Sequence, residues 1–365
     1  MEDQVRSRSK EALRRTILLL SFMSMCIGFC GGPLITRLYF LHGGSRIWLA
    51  GFLQTCACPI ILIPLLISYF SRRKSEGSST KIIYMKISTS LACLIIGLFV
   101  GLINYLFSYG LGRLPVSTAT LITTTQLVFT AVFAFLLVKQ KFTPFSINAI
   151  ILLTIGSVVL GLQGSKDRPE GESKKMYNLG FALTFLGAAV SGFVAPSIEF
   201  VYKKTGMGDG YTKVLETQIV ISFSASIFSL IGMLANHDFK VIPREAREFQ
   251  LGEAKYYGIL VSSAFVWQFY LVGIVGVIFN GSSLLSGIIG AVLVPVSEVL
   301  AVIFYHEKFT AEKGVSLGLC IWGLVSHFYG ETKHSQNTSQ NQAFETSSGV
   351  SPQSKKEIEV ISNVP

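Results

Sequence analysis

Ten long apolar segments constrain this chain more than any other feature of its sequence. Half of its 365 residues are hydrophobic and 14% are charged, and the mean hydropathy is +0.54. A helix of about 20 residues crosses the roughly 30 Å apolar core of a bilayer. The sequence therefore predicts an all-α polytopic membrane protein with ten transmembrane helices. They are expected at Thr16–Leu38, Ile47–Phe70, Ile87–Tyr109, Val116–Val138, Phe145–Leu162, Leu179–Val201, Val214–Asn236, Tyr257–Asn280, Ser283–Tyr305 and Val315–Tyr329.

A short repeat divides these segments into two groups. Lys139-Gln140-Lys141-Phe142-Thr143 returns as His306-Glu307-Lys308-Phe309-Thr310, and an odd number of apolar segments separates the copies. An odd number of crossings inverts the second copy, so we predict two inverted five-helix repeats, 16–162 and 178–330, with the substrate site between them. Weaker matches pair Gln54 with Gln218, whereas Gln126 matches Leu293, so the chemistry is expected to differ between the halves.

The distribution of Lys and Arg predicts which side of the membrane each connecting segment faces. With a cytosolic N-terminus, the inner segments of the first half hold 12 Lys and Arg and the outer ones hold 3, which the positive-inside rule favours, although the second half shows the opposite bias. We therefore expect a cytosolic N-terminal arm at 1–15, a connecting loop at 163–177 and a disordered cytosolic tail at 331–365. The expected location is the plasma membrane. We attribute the net charge of +10 to this topology, and no nucleic-acid partner is expected.

Polar side chains within the apolar segments are the candidates for substrate binding, because hydrocarbon penalises them unless they have partners. Thr123 and Gln126 share one face of the fourth segment with Thr120 and Thr130. Trp267 could stack on a planar ring, and an amide could hydrogen-bond its edge. Packing between helices is the alternative for each. The substrate-binding candidates are Gln126, Trp267, Gln268, Thr123, Asn104, Tyr270 and Gln54.

Carboxylates and prolines are the candidates for coupling and movement. Burial raises the pKa of a carboxyl, which lets it exchange a proton near neutral pH. Glu298, Glu199 and Glu216 are the candidates for this role, with a salt bridge or a helix-end cap as the alternative. Pro33 and Pro196 are expected to interrupt the first helix of each half and to act as hinges, with an ordinary kink as the alternative.

Several classes of activity are excluded by what the segments lack. No Lys or Arg lies at a mid-membrane position, whereas carriers of phosphorylated solutes need cations there. The sequence contains no metal cluster, P-loop or nucleophile–base pair, so an enzyme is not expected. The predicted partners are small planar nitrogen heterocycles and the lipid bilayer. No cofactor is expected beyond a proton gradient, and no oligomeric state is predicted.

Four stretches resemble the plant purine permease family of the drug/metabolite transporter superfamily. They are 31–44, 115–126, 135–148 and 295–308, within a likeness that covers about residues 16–330. The resemblance implies a ten-helix carrier that imports adenine-like purines, cytokinin bases or related alkaloids with protons, and it carries over no site residue. The main hypothesis is proton-coupled symport by alternating access. An exporter or vacuolar carrier of alkaloid-like or drug-like metabolites, and a non-transporting receptor, are the alternatives.

Overall fold

Helices are the only regular secondary structure among the residues that the computed structural model describes. These are 2–76, 85–114, 119, 122–123, 125–140, 142, 144–164, 173–205, 211–305 and scattered positions from 311 to 330. A 3-10 turn, Cys58–Ile61, lies between the second and third of eleven helices found in these ranges. The helices are α1 Glu2–Leu41, α2 Ile47–Leu53, α3 Leu62–Glu76, α4 Ile87–Arg113, α5 Gln126–Val138, α6 Pro144–Gly164, α7 Lys174–Thr205, α8 Tyr211–Ala235, α9 Asp238–Glu248, α10 Glu253–Asn280 and α11 Ser283–Tyr305.

Six stretches are long and apolar enough to cross a membrane. They are Arg15–Leu41, Ile47–Phe70, Ile87–Arg113, Lys174–Lys204, Thr212–Ala235 and Glu253–Asn280. Shorter apolar helices cover Gln126–Val138, Pro144–Gly156 and Ser283–Ser297. The prediction of a polytopic all-α membrane protein is confirmed. The described parts of the tenth segment are helical, and the predicted tail at 331–365 lies outside the described residues.

The expected interruptions at Pro33 and Pro196 were wrong. Both prolines lie inside continuous helices, α1 and α7. The break occurs instead in the second predicted segment, where α2 ends at Leu53 and turns lead to the 3-10 helix. Pro59 explains the break, because proline lacks the N–H that would bond to the carbonyl of Thr55 and its ring clashes there. Non-helical backbone at membrane depth is tolerated where it is buried in protein or lines a cavity.

Glycines bring α1 and α10 into close antiparallel contact. A Cβ added to Gly28 would lie 2.2 Å from the backbone nitrogen of Tyr270, and one added to Gly273 would lie 2.4 Å from that of Met25. Gly276 makes similar room for Ser21. Gly28 and Gly32, spaced as in a GxxxG motif, therefore serve close helix packing. On α4, Gly97 makes equivalent room for the Ile221 carbonyl of α8.

The charged segment 237–255 contains a helix, α9, with a buried carboxylate. Glu245 of α9 is 7% exposed. Its Oε1 accepts hydrogen bonds from the hydroxyls of Tyr39 and Tyr256, and its Oε2 accepts from Ser45 Oγ at 2.8 Å. Arg46 lies 3.4 Å from Glu245 and 3.6 Å from Asp238. This group of contacts joins the α1–α2 connection to the ends of α9 and α10.

Candidate functional site

A central cavity of about 150 Å³ lies between α1, α2, α4, α5, α7, α8, α10 and α11. Most of its wall is apolar, with Phe29, Phe107 and Ile274 among the lining residues. An apolar protein cavity of about this volume is known to hold benzene. A smaller cavity of about 30 Å³ adjoins it and shares Thr123, Gln126 and Tyr270. The bundle thus encloses space for a small ring compound.

Three amide side chains predicted from the sequence meet at this cavity. Gln54, Asn104 and Gln126 all line it. Gln54 follows the last residue of α2, and its Nε2 donates to Ser108 Oγ of α4 at 3.1 Å. Asn104 Nδ2 is buried with no hydrogen-bond partner among the described residues. These amides supply hydrogen-bond donors and acceptors without charge, as a neutral heterocycle requires.

Trp267 forms an aromatic wall of the cavity from the middle of α10. Its Nε1 donates to Thr36 Oγ1 of α1 at 3.2 Å, which fixes the indole and satisfies its only donor. Gly32 makes room for the ring, since a Cβ there would lie 2.7 Å from Trp267 Cε2. Tyr270 packs edge-on against the indole, with ring centroids 5.7 Å apart, and also lines the cavity. A planar solute could stack on this indole.

Only some of the polar residues on one face of the fourth predicted segment line the cavity. Thr123 lines both cavities, whereas Thr130 lines only the smaller one. Thr130 is fully buried, and its hydroxyl donates to the Gln126 carbonyl at 2.9 Å, as in an ordinary helix. Thr120 lies outside the described residues. The substrate-facing residues on this face, among those described, are therefore Thr123 and Gln126.

Gln268 is separated from the other candidates. It is 5% exposed and is not among the residues that line the cavity. Neither atom of its amide has a hydrogen-bond partner among the described residues. Consecutive helix residues point about 100° apart, because a helix has 3.6 residues per turn, so a lining Trp267 directs its neighbour elsewhere.

Two of the three candidate carboxylates hold the ends of other elements. Glu199 Oε2 accepts from the backbone nitrogen of Ser283 at 2.7 Å, at the start of α11, and its Oε1 lies 2.9 Å from Lys203 Nζ. Glu216 accepts from the backbone nitrogen of Met85 at 3.1 Å, just before α4. Such salt-bridge and helix-end contacts are the alternative to proton coupling that the sequence left open for these carboxylates. Glu298 belongs to α11, next to the cavity-lining Ser297.

One of the two candidate hinge prolines and several unpredicted residues complete the wall. Pro33 lines the cavity, and Ala195, the neighbour of Pro196, does so as well. Sequence reasoning did not select Gln218, Ser191 or Thr184, which also line it. The repeat match between Gln54 and Gln218 was the signal that could have selected Gln218. Within the described residues, no group of three potential metal ligands is present.

These features define an integral, multi-pass membrane protein with an uncharged central cavity. A family model described as purine nucleobase transmembrane transport matches residues 16–337. Purine permease 3 of Arabidopsis thaliana is 50% identical over 325 residues, which cover 88% of this chain and 93% of that protein. Purine permease 2 of the same plant is 48% identical, with 89% and 95% covered.

The chain belongs to this purine nucleobase transporter family, as its resemblance predicted, and is a transporter rather than an enzyme. One solved protein structure superposes with a TM-score of 0.56 at 14% identity, covering 86% of this chain and 95% of that one. At that identity the likeness concerns the fold alone.

Proposed function

We propose that this protein imports purine nucleobases and related compounds, including adenine, cytokinin bases and purine alkaloids, together with protons. The observation that carries the proposal is the cavity, where Trp267 offers a flat face and Gln54, Asn104 and Gln126 offer neutral amides. None of the described lining residues is charged. A neutral, planar, hydrogen-bonding solute matches this wall, whereas an anion would have no cation to neutralise it.

The proposed architecture is ten helices in two inverted five-helix repeats that alternate access to the cavity. Helix pairing supports it. α1 packs on α10, and α4 packs on α7. In segment order these are pairs 1–8 and 3–6, and exchanging the two halves converts one pair into the other. An inverted repeat produces such a relationship, with the binding site at the interface. Pro33 and Pro196 are the proposed hinges, and the termini are placed in the cytosol at the plasma membrane.

Glu298 is the first candidate for the carboxylate that binds and releases the coupled proton, followed by Glu199 and Glu216. Glu199 lies next to Ile198, which lines the cavity, and it holds both the start of α11 and Lys203. Protonation would remove the charge that attracts Lys203 and weaken the link between α7 and α11. A proton on such a group can thus alter helix contacts, as coupling requires.

Uptake of labelled adenine into cells that lack their own purine carriers tests the proposal. We expect accumulation that a protonophore abolishes, and competition by cytokinin bases. Uptake that persists after the proton gradient collapses would contradict the coupling. Net efflux from preloaded cells, or location in the vacuolar membrane, would favour an exporter or vacuolar carrier instead. Glu298→Gln should abolish accumulation and spare exchange, and full accumulation by that variant would exclude Glu298.

A further inference from the structure

Gln54 and Gln218 line the same cavity from two different helices. Gln54 caps the C-terminal end of α2, and Gln218 lies in α8. The repeat in the sequence aligns these two positions, although it aligns Gln126 with Leu293. The polar wall of the cavity therefore contains one pair of identical residues at equivalent positions of the two repeats. The expectation that the two halves differ in chemistry did not include such a pair.

In both glutamines one N–H of the side-chain amide donates to a serine. Gln54 Nε2 donates to Ser108 Oγ at 3.1 Å, and Gln218 Nε2 donates to Ser222 Oγ at 2.8 Å. An amide held in this way presents its carbonyl oxygen as an acceptor. Gln218 is 1% exposed, and its Oε1 has no hydrogen-bond partner among the described residues. Buried acceptors are seldom left unpaired in folded proteins, so this oxygen suits a donor from a ligand.

The two glutamines lie at different depths in the bundle. Gln54 contacts α4 at Ser108. Gln218 lies one turn before Ile221, whose carbonyl approaches Gly97 of α4. Because a helix rises about 1.5 Å per residue, Ser108 and Gly97 are roughly 16 Å apart along α4. A fused purine ring is much shorter than this distance, so one solute molecule meets the two side chains in turn.

We propose that Gln54 and Gln218 are equivalent acceptors that bind one N–H group of the solute successively, at the two ends of the cavity. Gln54 binds it at the end nearer the α1–α2 connection, and Gln218 binds it at the opposite end. The inference rests on the proposed purine transport, and with a cytosolic N-terminus it places Gln218 on the cytosolic side. Loss of either acceptor should weaken binding from one side of the membrane only.

The experiment measures adenine transport in both directions by the full chain expressed in cells without purine carriers. Gln54→Met should raise the KM for uptake about fivefold, the effect of losing one hydrogen bond, and leave half-saturation of efflux from preloaded cells unchanged. Gln218→Met should do the reverse. Gln268→Met is the matched control, because Gln268 is an equally buried amide outside the cavity wall. It should match wild type in both directions.

A second solute tests the hydrogen bond itself. A fully N-methylated purine has no N–H group, so Gln54→Met and Gln218→Met should carry it with the wild-type KM. Gln→Glu keeps an acceptor oxygen and should retain adenine affinity at either position. Gln→Leu, which also lacks an acceptor, replaces the Met variant if that variant fails to reach the membrane. Equal losses in both directions, or the same loss with the methylated purine, would overturn the inference. Absence of adenine transport by wild type would overturn the proposed function instead.

Discussion

The hydroxyl of Tyr39 lies 2.5 Å from Glu245 Oε1, which ties the last turn of α1 to α9. The same oxygen accepts from Tyr256 of α10 at 3.1 Å. The other oxygen accepts from Ser45 and Arg46 of the α1–α2 connection. One carboxylate of α9 thus joins the neighbouring α10 to the end of α1 and the α1–α2 connection, which lie about 200 residues away in sequence. Since every donor is directed at this group, its removal leaves several buried polar atoms unpaired.

Glu245→Ala should lower the stability of the folded protein. The loss of a buried, paired carboxylate typically costs about 3–5 kcal/mol, because its partners lose their acceptor. Thermal unfolding of the purified protein in detergent measures the effect. Glu248→Ala is the control, since Glu248 pairs with Arg244 at the surface and both side chains are more than half exposed. Equal melting temperatures for the two variants would contradict the structural role of Glu245.

Asp238 should make stability depend on pH. Burial raises the pKa of its carboxyl above the usual value, while Asn236 and Arg46 act in the opposite direction. A raised pKa means that the folded state holds the proton more tightly than the unfolded state. The resulting stabilisation is fully present below the unfolded pKa of about 3.9 and is lost as pH rises through the folded pKa.

Asp238→Asn removes this titration. The melting temperature of wild type, relative to that of the variant, should fall as pH rises through this range. Melting curves of both proteins at a series of pH values in the same detergent provide the measurement. A constant difference across the series would show that Asp238 has the same pKa in both states.

Gly28→Ala should separate α1 from α10. The added Cβ would lie 2.2 Å from the backbone nitrogen of Tyr270, and backbone cannot rotate away. Overpacking of this kind costs about 1–3 kcal/mol or more. We expect less folded protein in the membrane and lower adenine uptake. Gly258→Ala is the control, because a Cβ at Gly258 of α10 meets nothing within 4 Å. Normal uptake by Gly28→Ala would show that α1 and α10 can move apart at little cost.

Trp267→Ala should weaken adenine binding, because it removes the flat face of the cavity. Stacking of a base on an aromatic ring is worth about 1–3 kcal/mol, so the KM for uptake should rise by about fivefold or more. Trp267→Phe keeps a ring and loses the bond to Thr36, and its KM should rise less. Trp322→Ala is the control, since Trp322 is 66% exposed. An unchanged KM for Trp267→Ala would exclude stacking.

Much of the helix pattern and part of the polar cavity wall could be predicted from the sequence. Apolar length fixes a membrane span, because a bilayer penalises unpaired backbone groups. Polar residues deep in such spans tend to face the protein interior, and Gln126, Asn104 and Trp267 follow that tendency. Gln268 is also buried but does not line the cavity, because the rotation of α10 about its axis depends on packing against α1, which local sequence does not encode.

The backbone break was harder to predict for a related reason. A proline inside a helix removes one hydrogen bond, and whether the helix then ends depends on its neighbours. α1 continues through Pro33 because α10 supports it along its length. The chain before Pro59 instead turns away after Gln54. The roles of Glu199 and Glu216 were also left open, since their backbone partners, Ser283 and Met85, are far away in sequence.

The glycine contacts between α1 and α10 have a mechanical consequence. They run from Gly32 beside Trp267 to Ser21 beside Gly276, so the two helices interlock over several turns. Interlocked helices resist sliding, because each backbone fills a notch in the other. The pair should therefore tilt as a single stiff rod. If the end of the pair where Tyr39 contacts Glu245 moves to one side, the opposite end, beyond Ser21 and Gly276, should move to the other side.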